Sequence, residues 1–178
     1  ATSTYMIPPS GKTRERNRGR AAVGGGYDGS SVRGEIEYFN IQSMGIAIDF
    51  GNLTTTTFAL ASNAASSTRG IIAVGGRTPS YVNTIEFITI ANTSNATDFG
   101  DTSATGGNIA ASSNQTRGIL MGGRQPTRNT IELITIATVG NASDFGDLTA
   151  AKRQGASLSS PTRAIYAGGF DDTNRINN

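Results

Sequence analysis

The chain has 178 residues, of which 23 are glycine and 16% are charged, with a net charge of +2 and no cysteine, histidine or tryptophan. Lack of Cys and His removes disulfides, thiolate chemistry, the usual general base and the commonest zinc ligands, which sets binding and structural roles ahead of catalytic ones. No run approaches the ~18 apolar residues of a membrane span, and abundant Gly, Ser, Thr and Asn predict many short strands and turns.

Residues 1–17 fit no pattern found later and read as a basic arm or cap. Lys12, Arg14, Arg16, Arg18 and Arg20 supply 5 of the 15 basic residues. A solvated arm of this kind keeps a first strand from pairing end to end. A docking arm for an acidic neighbour is the sharper alternative. The low net charge and the absence of interleaved aromatics speak against nucleic acid.

Residues 18–178 are a repeat domain, with units over about 18–68, 69–116 and 117–162 and a partial unit over 163–178. Paired glycines place their second member at Gly25, Gly76, Gly123 and Gly169, in steps of 51, 47 and 46. Ile36, Ile85 and Ile131 open an Ile-Glu step, and Phe50, Phe99 and Phe145 centre an Asp-Phe-Gly triplet; both series step by 49 and then 46. Arg18, Arg69, Arg117 and Arg163 lead into the glycine strands. Units of this size cannot bury a core alone and must stack.

Within each unit, a short apolar run ending in the glycine pair (21–25, 71–76, 119–123, 165–169) predicts a strand buried on both faces. With no Lys-Ser and no helix following, the pair is not a phosphate loop. β-Branched and aromatic runs at 35–41, 84–90 and 130–136 predict central strands. Glu37, Glu86 and Glu132 interrupt them, and an ion pair to the repeated arginines is expected to neutralise these carboxylates. The Asp-Phe-Gly segments at 47–53, 96–102 and 142–148 form a third strand, with Phe between adjacent sheets and Asp and Gly shaping a turn. Three copies exclude a kinase metal triplet. Asp98/Asp101 and Asp144/Asp147 are weighed as calcium ligands and set aside, because Asn52 replaces the second acid in the first copy. Small-residue strands at 59–62, 109–112 and 156–159 complete four strands per unit. No metal, cofactor or catalytic residue is assigned, and Asn-X-Ser/Thr sequons follow from the repeat composition alone.

The order of arginine, apolar strand, Gly-Gly, variable loop, central strand and an aromatic followed by a leucine resembles the kelch repeat, with Phe in place of its usual Trp. The Asn-Thr-Ile-Glu-Phe-Ile-Thr-Ile-Ala, Asn-Ala-Thr-Asp-Phe-Gly-Asp and Thr-Arg-Gly segments resemble virion-associated repeat proteins of marine tailed phages of the cyanophage type. The resemblance implies an all-β fold of kelch-like β-propeller blades, each of four short antiparallel strands. Three to four blades are present and the ring is incomplete in this chain. It further implies a non-enzymatic virion protein of a fibre, tail or capsid appendage. Its partners would be other virion proteins, further copies of itself, and a host surface glycan or protein. A general kelch-type interaction adaptor is the second reading, and a propeller glycosidase the third. The candidate contact residues are Tyr27, Asp28, Arg77, Tyr81, Arg124, Arg128, Phe170 and Asp171, on the loops that vary after each glycine pair. Because the partial unit repeats the strand type with which the first unit begins, either Asn178 is not the native C-terminus or another chain completes the structure.

Overall fold

The computed structural model describes residues 20–41, 44–57, 62–73 and 81–176. The 1–17 arm, Arg18, Gly76 and Arg77 lie outside the described residues. The fold is all-β. Strands β1 (Arg20–Tyr27), β2 (Val32–Asn40) and β3 (Ile48–Thr57) form a first sheet. A second holds β4 (Ser62–Ala65), β5 (Arg69–Ala73), β6 (Thr84–Thr89) and β7 (Thr97–Asp101). The third holds β8 (Ala110–Ser113), β9 (Arg117–Met121), β10 (Arg128–Thr135) and β11 (Ser143–Lys152), and β12 (Ala156–Ser159) pairs with β13 (Ala164–Ala167). Every pairing is antiparallel. Sequence unit and sheet are offset by one strand: the small-residue strand at the end of a sequence unit opens the following sheet, as β4 and β8 do.

The Asp-Phe-Gly triplet forms a β-bulge, which corrects the expected turn. Pairing runs from Ile36–Gly51 to Glu37–Asp49, from Ile85–Gly100 to Glu86–Asp98, and from Ile131–Gly146 to Glu132–Asp144, so the phenylalanine is the extra residue each time. A bulge residue escapes the ladder and its side chain is re-aimed. The Asp carboxylate holds the distortion by accepting from the Gly N–H, at 3.1 Å for Asp98 and Gly100 and 3.2 Å for Asp144 and Gly146. The glycines adopt φ of 145°, 141° and 143°, a region closed to most side chains.

Phe50 and Phe99 are 2% exposed. Phe50 packs with Ile36, Leu53, Ile72, Ile88 and Ala96 between the first and second sheets. Phe99 packs with Ile71, Ile85, Leu120, Ile134 and Ile136 between the second and third. Each large apolar side chain so buried contributes about 1.5–3 kcal/mol, which makes these two layers the main source of stability. Phe145 departs from expectation at 56% exposed, because the hairpin β12–β13 covers the β8 side of the third sheet and leaves β11 open.

The inner strands are rich in small residues because successive sheets converge there. Ser113 Oγ donates to Ala65 O at 2.9 Å, and Ser157 and Ser159 Oγ donate to Ala111 O and Ser113 O at 2.6 and 2.8 Å. A β-carbon at Gly118 would lie 3.2 Å from that of Ala64. The turns leading to the arginines are side-chain capped: Ser66, Asn114 and Ser160 each accept the N–H groups two and three residues on.

Two expected register markers shift. Arg20 takes the place that Arg69 holds in the second sheet, since Arg20 pairs with Asn40 as Arg69 does with Thr89. The positive-φ glycine pair of the first unit is Gly25–Gly26 (71° and 129°), matching Gly122–Gly123 (66° and 137°) and Gly168–Gly169 (67° and 116°), so Gly25 is the first member of its pair. Three consecutive glycines at 24–26 hide this in the sequence.

Phe99→Ala is expected to destabilise the chain by about 3–5 kcal/mol, the range for emptying a buried phenylalanine site. Phe145→Ala should cost less than about 1 kcal/mol, as for an exposed position. Chemical denaturation of both variants measures the difference, and equal losses would contradict the assigned burial.

Candidate functional site

Two buried glutamates and two half-buried arginines lie at the joints between sheets. Glu86 and Glu132 are buried, at 0% and 3% exposed, yet among the described residues neither forms the expected ion pair with an arginine. Glu86 instead accepts the Thr54 N–H at 3.1 and 3.2 Å and the Thr54 hydroxyl, and Glu132 accepts the Ser103 N–H at 2.7 Å. Thr54 and Ser103 each lie four residues beyond the bulged phenylalanine of the preceding sheet. A buried carboxylate must be hydrogen-bonded, and a backbone donor in the adjacent sheet supplies that bond directly.

The arginines make a different joint. Arg20 lies over the Tyr38 ring at 4.7 Å and donates to Ile90 O at 2.6 Å in the next sheet. Arg69 repeats the arrangement over Phe87 at 4.5 Å, donating to Ile136 O and Ala137 O at 3.0 Å each. Those rings meet the bulged phenylalanines edge-on, Tyr38 with Phe50 at 5.8 Å and Phe87 with Phe99 at 6.1 Å. Stacking on an aromatic face fixes a guanidinium while leaving its N–H groups free to donate.

A third joint combines an asparagine side-chain amide with a backbone bond. Asn95 and Asn141 accept the Asn52 and Asp101 N–H groups at 3.0 Å each, while Ala96 and Ala142 donate to Asn52 O and Asp101 O at 2.8 Å each. A β-carbon at Gly51 would be 2.3 Å from Ser94 O, and one at Gly100 would be 2.5 Å from Gly140 O, so only glycine admits these loops.

The expected contact residues fall into distinct environments. Tyr27, at the end of β1, is 52% exposed. Asp28 accepts from Ser30 and Ser31 N–H at 2.8 and 2.7 Å and pairs with Arg33; the Ser31 and Ser30 backbone donors, chiefly, hold its carboxyl well below the usual carboxylate range. Arg77 lies outside the described residues, and Tyr81 is half-buried before β6. Arg124 is half-buried, its backbone N–H and C=O bonded to Gly107 at 2.7 and 3.2 Å. Phe170 lies beneath Arg153 at 4.8 Å, and Asp171 accepts from Thr173 and Asn174 N–H at 2.9 and 2.6 Å. The contacts of Asp28 and Asp171 are local to their loops, whereas Arg124 and Phe170 are held by Gly107 and Arg153 of other segments.

Arg128 is corrected from contact residue to structural residue. It is 7% exposed, donating from Nε to Gly122 O at 3.2 Å and from a terminal nitrogen to Ala104 O at 3.1 Å, which ties the segment after β7 to the third sheet. Burial lowers its pKa and the nearby Glu132 raises it. Composition cannot distinguish this arginine from the solvated ones, because its burial depends on the close approach of Gly106 and Gly123.

Sequence reasoning also missed a cleft of about 240 Å³ between the third sheet and the last hairpin, lined by Arg117, Ile119, Ile131, Phe145, Pro161 and Arg163 among others. Its one foreseeable sign was Leu133, which replaces the aromatic of Tyr38 and Phe87 and leaves Arg117 without a ring beneath it. Among the described residues no three His, Cys, Asp or Glu converge on a metal position, and no helix is long and apolar enough to cross a membrane. No family model matches the chain, and no curated protein matches it.

Arg128→Ala is expected to cost about 2 kcal/mol or more, because two carbonyls lose a charged donor inside the protein. Tyr27→Ala should fall within about 0.5 kcal/mol of the parent, as surface changes do. Thermal melts of the two variants test the division between structural and solvent-facing residues.

Proposed function

We propose that the chain is a non-enzymatic structural protein of a phage virion, part of a fibre, tail or capsid appendage, and that its sheets are kelch-like propeller blades set in an incomplete arc. The observation that carries this reading is the use of charge. Glu86, Glu132, Arg20 and Arg69 are all engaged in holding one sheet against the next. An extracellular particle rewards such a scaffold, which needs no disulfide and stacks by repetition. The resemblance of the Ile-Glu and Asp-Phe-Gly segments to virion repeat proteins supports the same assignment.

Its partners are other virion proteins and further copies of the chain, with a host surface glycan or protein met by the loops that follow the glycine pairs. Tyr27 and Tyr81 are the side chains on those loops best suited to such contacts, being aromatic and at least partly accessible.

Peptides of this chain are expected in mass spectra of purified particles at a fixed ratio to other structural proteins. Recovery only from infected-cell cytosol would favour a soluble kelch-type adaptor. Turnover of sialosides or other glycosides by the purified chain would overturn the non-enzymatic assignment.

A further inference from the structure

Two buried cations lie side by side in the third sheet. Arg128 and Lys152 are 7% and 6% exposed and oppose each other as register partners across β10 and β11. Residues so opposed hold their β-carbons about 5 Å apart. Among the described residues neither has a carboxylate within ion-pair distance. Glu132 acts on Arg128 through space, but its carboxylate accepts the Ser103 N–H at 2.7 Å. Asp172 is likewise engaged, by Arg153 at 2.8 Å.

The hydrogen bonds around the pair leave donors over and no acceptor. Arg128 Nε donates to Gly122 O at 3.2 Å and Nη1 to Ala104 O at 3.1 Å, whereas Nη2 is enclosed without a partner. Glycine makes the room beside Nη2: a β-carbon at Gly123 would lie 3.4 Å from it and one at Gly106 3.5 Å. The carbonyls of Lys152 and Val82 are taken by the Gly123 and Gly106 N–H groups at 2.9 and 3.1 Å. An ammonium offers three donors and no acceptor, so Lys152 cannot complete the arginine. The repeat does not require such a pair, since the equivalent positions are Arg33 with Thr57 in the first sheet and Val82 with Gly106 in the second.

Charges removed from water need a counter-charge, and here the neighbouring side chains supply none. We propose that Arg128 and Lys152 form a binding site for a small monovalent anion of halide size, chloride in solution, held between Arg128 Nη2 and the Lys152 ammonium. Enclosure sets the ligand class. A monatomic ion takes little more room than one water, while phosphate or sulfate needs an open cavity and several more donors. The site is independent of any role in a virion.

Melting of the intact chain is followed in sodium chloride and in sodium gluconate at one ionic strength, so that general screening is equal. A ligand of the folded state raises the melting temperature by a steady step for each tenfold increase above its dissociation constant. The parent is expected to show that step in chloride and not with the bulky gluconate. Lys152→Met removes one cation and keeps an unbranched chain, so it should melt at or above the parent in gluconate. It should also weaken chloride binding roughly tenfold or more, as should Arg128→Lys, which loses Nη2. Crystals grown in sodium bromide should show an anomalous peak touching both side chains. Equal melting in the two salts, or an unchanged chloride response in Lys152→Met, would overturn the proposal. So would a Lys152→Met chain that melts below the parent in gluconate, since the ammonium would then stabilise without an anion. A site without bromide would identify the occupant as water, and bromide without chloride-dependent melting would be an adventitious ion only; either result also rejects it.

Discussion

The structure depends on one local distortion, the bulge at Asp-Phe-Gly. A regular strand alternates its side chains, and a residue inserted without a ladder partner breaks that alternation. Here the inserted residue is the largest apolar side chain of its strand, and it ends between two sheets. The glycine that follows has no β-carbon, so the next sheet's loop can sit against the bulge itself. Four residues beyond the phenylalanine, a backbone N–H meets the next sheet's glutamate. One defect in pairing thus places the apolar wedge, the close backbone contact and the polar joint together.

The offset between sequence unit and sheet strengthens this. Each strand that closes a sequence unit belongs to the following sheet, so neighbouring sheets are joined by chain as well as by contact. The inner strands must then lie close, and their serines bond directly to the carbonyls of the previous inner strand. Larger side chains there would separate the sheets and open the layers around Phe50 and Phe99. Small residues inside and isoleucine outside are two consequences of a single convergence.

Much of this was legible in the sequence, and the losses have physical causes. The 49- and 46-residue spacing of the Ile-Glu and Asp-Phe-Gly markers gave the strand register, because those positions bond to one another directly. The all-β class and the interior place of Phe50 and Phe99 followed from the same pattern. Glycine runs failed as a marker, since only backbone dihedrals tell Gly25–Gly26 from Gly24–Gly25. The glutamates suggest ion pairs because a sequence displays charges and conceals backbone donors. A loop arginine such as Arg128 is usually solvated, whereas its burial here depends on two glycines from separate segments. Phe145 has the same triplet as its counterparts, but its exposure depends on what lies beyond the sheet.

The first and third sheets are consequently not alike. Toward the last hairpin the third sheet retains every group of the standard joint, with Phe145, Gly146 and Arg117 all in place. The first sheet departs from that pattern: Phe39, Ile41, Met44, Ile46 and Ile48 are exposed, and Ile46 and Ile48 stand where the other units have Asn95 and Thr97 or Asn141 and Ser143. An amide that would accept a backbone N–H has become an alkyl group that cannot. The first and third sheets thus follow one pattern with different chemistry, the third keeping the hydrogen-bonding groups of the repeated joint and the first exchanging some of them for alkyl groups.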